Sequence, residues 1–225
     1  MINYKIINSG SDGNAVVIED YILIDCGVSF EKLKPYYKKL KIVFLTHIHS
    51  DHFKKSTIRK LAKERPTLRW ACGEWLVEEL VKREVNKKNI DILYFGNKYN
   101  YKAFKVEIEH LYHDVPNCCY KIEINDKKMI YATDTNSLDG IEAKNYDLYM
   151  IEGNYNEKKL LAELEESRRK REFNYRYRVL DTHLSEEKAT DFVLRNTDND
   201  NYILEYMHKH KDFNNEEENW WKLNI

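Results

Sequence analysis

Apolar and polar residues alternate along much of the first half of the chain. Residues 2–7, which begin with strand-like alternation, and residues 15–19 flank Ser9-Gly10-Ser11-Asp12-Gly13-Asn14, whose composition predicts a hairpin there. Residues 21–25 alternate again, and Cys26-Gly27 ends the run. Residues 41–46 are almost wholly apolar, the mark of a short strand buried on both faces. Between these strands Ser29 can cap a helix from Phe30 towards Lys39, with Pro35 the one local objection. Residues 54–63 and 74–83 read as amphipathic helices, with a short strand at 68–72 between them.

The middle is rich in strands, at 91–95, 101–109, 120–124, 129–133 and 147–152. A helix from about 156 to 170 follows, then a basic and aromatic stretch over 168–178. A helix at 185–195 and a strand at 202–206 precede a polar tail from about 209. Strands in two groups, each accompanied by helices, predict an α/β fold of two sheets packed together with helices outside. No internal repeat and no linker rich in Pro, Gly or Ser interrupts residues 1–225, so a single domain is expected.

Composition narrows the function. Hydrophobic residues make up 42% and charged residues 33% of the 225, with only 7 Gly and 3 Pro, which excludes a low-complexity chain. The formal net charge is -1, so any nucleic-acid binding has to come from a local patch. The longest apolar runs are only a few residues, too short for a transmembrane helix. The N-terminus carries no signal-peptide block, and a cytoplasmic protein with no membrane partner is expected. Cys26, Cys72, Cys118 and Cys119 are scattered without a C-x-x-C pair and are expected to be reduced core residues.

The histidines say more. Thr46-His47-Ile48-His49-Ser50-Asp51-His52 puts four candidate ligands directly after a buried strand. In extended backbone His47 and His49 point to the same side and can reach one ion, while Asp51 and His52 sit where the chain turns into a helix and can reach a second. Imidazole and carboxylate without thiolate suit Zn or Mn, and Fe after them.

His47-x-His49-x-Asp51-His52 resembles the signature of the metallo-β-lactamase superfamily, an αββα sandwich with a dinuclear site at the edge between its two mixed sheets. The resemblance extends to His113 in Leu111-Tyr112-His113-Asp114, to Asp134 in Tyr131-Ala132-Thr133-Asp134-Thr135, to His183 in Thr182-His183-Leu184-Ser185, and to His208 after the last strand. Ser9 to Ala15 resembles the "GSSGNA" opening of the small exonuclease-like (WalJ/YycJ-like) branch. Ile151-Glu152-Gly153-Asn154-Tyr155 and His208 with Phe213-Asn214-Asn215 resemble later motifs of that branch, with departures. Lys209-His210 stands where Leu-Ser is usual, which leaves His208 and His210 both as candidates for the last ligand. His110 is likewise the rival of His113.

The resemblance implies that His47, His49 and His113 hold one divalent metal, that Asp51, His52 and His208 hold the other, and that Asp134 bridges them. Two cations lower the pKa of a bridging water, so a hydroxide nucleophile exists near neutral pH. Asp51 and His183 are the implied catalytic residues. His183 is read as proton donor to the leaving oxygen, as a metal ligand, or as a helix cap. Glu152 and Asn154 are read as groups that orient ligands or as an ordinary polar cluster. Ser11 and Asn14 are candidate substrate contacts, with a plain turn as the alternative.

Arg168, Arg169, Arg171, Arg176 and Arg178, interleaved with Phe173, Tyr175 and Tyr177, could guide a nucleic-acid strand, or could be a solvated helix end. Trp220 and Trp221 are expected to pack the tail onto the domain. The expected function is a dinuclear-metal phosphodiesterase or exonuclease acting on DNA or RNA. A hydrolase of a small molecule such as a cyclic nucleotide, cyclic phosphate or lactone is the alternative, and a metal-containing nucleic-acid-binding module without turnover is a third.

Overall fold

In the computed structural model, which describes residues 1–170 and 176–209, the first group of strands forms one sheet in sequence order. β1 (Tyr4–Asn8), β2 (Ala15–Ile18) and β3 (Ile22–Ile24) run antiparallel. β4 (Ile42–Leu45), β5 (Arg69–Cys72) and β6 (Ile90–Ile92) continue it parallel to β3. The second sheet holds β7 (Lys98–Asn100), β8 (Phe104–Leu111), β9 (Asn117–Ile124) and β10 (Lys127–Ala132) in an antiparallel meander. It ends with β11 (Leu148–Glu152) and β12 (Ile203–Met207), both parallel to β10.

Alternation within each strand sends its residues to two different cores. Ile24, Ile42 and Phe44 of the first sheet meet Ile108, Tyr120, Tyr131 and Met150 of the second between the sheets. Val43 and Leu45 face the other way, against Leu33 of α1 (Phe30–Leu33), Ile58 and Leu61 of α2 (Lys55–Glu64) and Leu80 of α3 (Val77–Lys82). On the far side Ile130, Ala132 and Ile151 pack on Ala189, Phe192 and Val193 of α6 (Glu186–Asn196). The fold is therefore an αββα sandwich of two mixed sheets, and β4 reads as a pure apolar run because both of its faces are covered. The four cysteines are buried and free. No helix among the described residues is long and apolar enough to cross a membrane.

Several expected elements differ. The helix expected towards Lys39 stops at Leu33, because Pro35 has no N–H to donate and its ring crowds the preceding turn. A chain of turns carries on instead, with Tyr36 and Tyr37 both donating to the Leu33 carbonyl. The helix at 74–83 opens as a turn of 3-10 helix before α3. β7 has no apolar period and was not anticipated. The expected helix over 156–170 is α4 (Glu157–Lys170), and a second, unexpected helix, α5 (Tyr177–Thr182), begins at the end of the basic and aromatic stretch. Leu160 and Leu164 of α4 pack with Val179 and Leu180 of α5. Arg171, Phe173, Tyr175, His210, Phe213, Asn214, Asn215, Trp220, Trp221 and the polar tail beyond residue 209 lie outside the described residues.

Parallel pairing sets the location of the site. The C-terminal ends of β3 to β6 fall on one edge of the first sheet, and those of β10, β11 and β12 fall on the facing edge of the second. Ligand sites of α/β sheets form outside such carboxyl ends.

Candidate metal centre

The turn that follows β4 is shaped by the end of β3. Cys26 donates to the His52 carbonyl, Lys54 donates back to the Cys26 carbonyl, and Asn14 donates to the Asp51 carbonyl at 2.6 Å. Gly27 permits this approach, because a Cβ there would lie 1.6 Å from the Asp51 carbonyl oxygen. Within the turn, His52 and Phe53 both donate to the His49 carbonyl.

Asp25 then aims its carboxylate into the same space. It accepts the Thr46 N–H at 3.0 Å, the Thr46 hydroxyl at 3.0 Å and the Tyr131 hydroxyl at 3.1 Å, and it pairs with His52 Nδ1 at 2.6 Å. Its backbone is left-handed, at a φ of 60°, a conformation that Asp tolerates better than most residues. Sequence reasoning passed over Asp25. The available signal was a carboxylate closing an apolar strand, since such a group is buried only when it has partners.

Three groups of ligand atoms converge, each with all atoms within 4.8 Å of one another: His47, His49 and His113; Asp51, His52, Asp134 and His208; and Asp134, Glu152 and His183. Asp134 Oδ2 lies 2.8 Å from both His52 Nε2 and His208 Nδ1, while Oδ1 faces His113 Nε2 at 4.0 Å. The same carboxylate thus presents one oxygen to each of the first two groups. His49 Nδ1 and His113 Nε2 are 3.2 Å apart.

The donor set fits divalent cations, since it is made of imidazole nitrogens and carboxylate oxygens. One buried nitrogen of the set, His47 Nε2, has no hydrogen-bond partner, while His47 Nδ1 lies 3.0 Å from the Thr46 hydroxyl. Burial, and then the neighbouring His52, hold the His47 pKa well below the usual histidine range, so its lone pair is available to a metal at neutral pH. Burial would lower His52 too, but Asp134 and Asp25 outweigh it and push the ring well up. Burial would raise Asp134, yet His208 and His52 hold it well below the usual carboxylate range.

A cleft of about 340 Å³ opens over these groups, lined among others by Ser11, His49, Asp51, His113, Asp134 and His183. His183 closes α5, and its Nδ1 meets Glu152 Oε1 at 2.6 Å. The other Glu152 oxygen accepts the Thr135 N–H at 2.8 Å. Burial would lower the His183 pKa, but the charge and hydrogen bond of Glu152 outweigh it and raise it to about 9. Ser185 caps α6 by accepting the Lys188 N–H, which sets the chain direction immediately after His183.

The remaining sequence candidates divide by position. Asn14 is fully buried behind the ligands: its Oδ1 accepts the Gly10 N–H, and its Nδ2 lies 2.8 Å from His52 Nε2. Asn154 donates to the His208 carbonyl and takes the Leu184 carbonyl on its own N–H, which ties together the two loops that carry His183 and His208. Of the basic stretch, Arg178 lines the cleft and pairs with Asp114 at 3.6 Å. Arg176 is bonded to Glu163 of α4. Arg168 and Arg169 are exposed in the last turn of α4, Arg169 beside Glu165. His110 is exposed at the end of β8, against Phe95 and Tyr112.

A family model described as a β-lactamase superfamily domain matches residues 20–196. None of the curated proteins matches this chain. Among solved structures, the metallo-β-lactamase fold protein YhfI from Bacillus subtilis is similar with a TM-score of 0.59 and 21% identity, over 69% of this chain and 73% of that one. Human tRNase Z, short form, is similar with a TM-score of 0.65 and 14% identity, over 95% of this chain and 94% of that one.

Proposed function

The chain belongs to the β-lactamase superfamily, and from that premise we propose that it is a dinuclear-metal phosphodiesterase that degrades DNA or RNA as an exonuclease. The observation that carries the reading is Asp134, whose two oxygens face two separate ligand groups. His47, His49 and His113 would hold one cation, Asp51, His52 and His208 the other, and Asp134 would reach both. Bound there, the cations would lower the pKa of a water and offset the negative charge of the phosphodiester and of its transition state.

The chain's own groups do the rest. Asp25 fixes the His52 ring by its Nδ1, leaving Nε2 for the metal side. Asn14 and the Gly27 backbone hold the turn that carries Asp51. With Nδ1 committed to Glu152, His183 has its other nitrogen for the cleft. Its raised pKa keeps that nitrogen protonated at neutral pH, ready to give a proton to the leaving oxygen. Arg178 at the cleft wall would meet a flanking phosphate.

The tRNA-processing name of one structural neighbour supports a polynucleotide substrate, and the Ser9 to Ala15 opening supports the WalJ/YycJ-like branch. Cleavage of end-labelled single- and double-stranded DNA and RNA with Mn or Zn, beside Asp134→Ala, tests the proposal. A ladder shortening from one end and absent in the variant is expected. Hydrolysis of small cyclic phosphates or lactones by a metal-loaded protein that cuts no strand would overturn it.

A further inference from the structure

The edge that carries the metal ligands does not end at them. Because β3, β4, β5 and β6 are parallel neighbours, their C-terminal ends place Asp25, His47, Trp75 and Phe95 in a row. With strands about 4.8 Å apart, Phe95 stands roughly 10 Å along that edge from His47. Trp75 is bonded into the row, since its indole N–H donates to the Thr46 carbonyl at 3.2 Å. Gly73 allows the indole to fold back over the backbone, where a Cβ would lie 2.0 Å from the ring.

The facing sheet supplies the other half. His110 lies near the end of β8 and Tyr112 just beyond it, one residue before His113. The four rings touch in sequence across the mouth of the sandwich: Trp75 stacks on Phe95 at 5.3 Å, Phe95 meets His110 edge-on at 5.4 Å, and His110 meets Tyr112 at 5.1 Å. Phe95 is 42% exposed and Tyr112 57%. Single exposed apolar side chains need no explanation, but a contiguous row beside a metal centre does.

We infer that Trp75, Phe95, His110 and Tyr112 form a stacking platform for the unpaired bases of a single-stranded nucleic acid whose backbone continues into the metal cleft. The inference rests on the nuclease reading and narrows its substrate to single strands. Rings of this kind bind any base through its π face, whereas a duplex keeps its bases stacked on each other and offers them none. Adjacency to the cleft selects this occupant: Tyr112 directly precedes His113, which lines the cleft together with Arg178.

The test is binding of a fluorescein-labelled, cleavage-resistant phosphorothioate oligothymidylate to the metal-loaded protein, read by fluorescence anisotropy. Phe95→Ala and Tyr112→Ala are each expected to weaken binding about tenfold, and Phe95→Trp to preserve it. An abasic strand of the same length should bind wild type about tenfold more weakly than the oligothymidylate does. Turnover of a small nitrophenyl phosphodiester should be unchanged in Phe95→Ala. Equal binding of the abasic strand, no binding at all, or parallel loss of the small diester would overturn the platform. So would a dimer that Phe95→Ala dissociates, seen by light scattering, because the surface would then belong to a second copy. Base-dependent binding that Phe95→Ala weakens, with no strand cut, would sink the nuclease reading and leave the platform standing. Cutting without such dependence would do the reverse.

Discussion

The two halves of the candidate metal centre are built to different standards. Asp51, His52, Asp134 and His208 form a closed network: His52 is bonded on one side to Asp25 and on the other to Asp134, and His208 donates its backbone N–H to Ser9. His47, His49 and His113 form an open one. His49 is about a third exposed, and His47 Nε2 and His113 Nδ1 are buried without partners. The closed half is arranged by protein groups before any ion arrives. The open half keeps one buried lone pair, on His47 Nε2, without a partner. Charge follows the same division, since burial leaves His47 neutral while His52 is drawn towards protonation by two carboxylates.

The substitution expected to break the comparison outright is Asp134→Ala, because that residue belongs to both halves. Hydrolysis of any phosphodiester should fall about a thousandfold or more, and metal content by elemental analysis should drop at both sites. Retention of two tightly bound metals by the variant would show that the halves are independent.

His183→Gln comes next and sharpens the contrast, because it removes a cleft group that belongs to neither half. Turnover of a substrate with an alkoxide leaving group should fall about a hundredfold, with metal content intact. The loss should be smaller for a nitrophenyl leaving group, which needs little help from a proton. Equal loss on both substrates would assign His183 to metal binding.

Asp25→Asn tests the closed half alone. Outer groups that orient a ligand typically change metal affinity by about 10- to 100-fold, so competition with a chelator should show one site weakened and the other unaltered. Equal weakening of both would remove the distinction.

The smallest effect concerns pH. In the metal-free protein the raised pKa values of His52 and His208 contribute stability that is fully present below the unfolded value of about 6.5 and is lost as pH rises through the folded values. The depressed pKa of Asp134 contributes stability present above about 3.8 and lost as pH falls through its folded value. Metal and protons compete for the same nitrogens. The gap in Tm between metal-loaded and metal-free protein should therefore widen by several degrees from about pH 6 to about pH 8.5. A constant gap would mean that these rings are unprotonated without metal.

The candidate ligands next to one another in the chain were easier to read than the groups that support them. His47, His49, Asp51 and His52 are neighbours in the chain, so their spacing alone aligns them. The sheet interior was legible for the same local reason, as in the apolar run of β4. Asp25 acts on His52 across 27 residues, and Asn14 on Asp51 across 37, distances at which no local period survives. α5 was hidden because its six residues, Tyr177–Thr182, are too few to show a helical period. Pro35, by contrast, was visible as an objection, and its missing N–H ended the helix.

The clasp between Ser9 and His208 joins residues 199 positions apart. A chain growing from its N-terminus has His47, His49 and His113 in hand when barely half of it has been made, yet it cannot shut the other cluster until β12 has emerged. On the proposed reading, each newly synthesised copy passes through a stage in which the first set of ligands exists without the second, so the last strand to appear acts as the fastener that brings the cluster to its finished form.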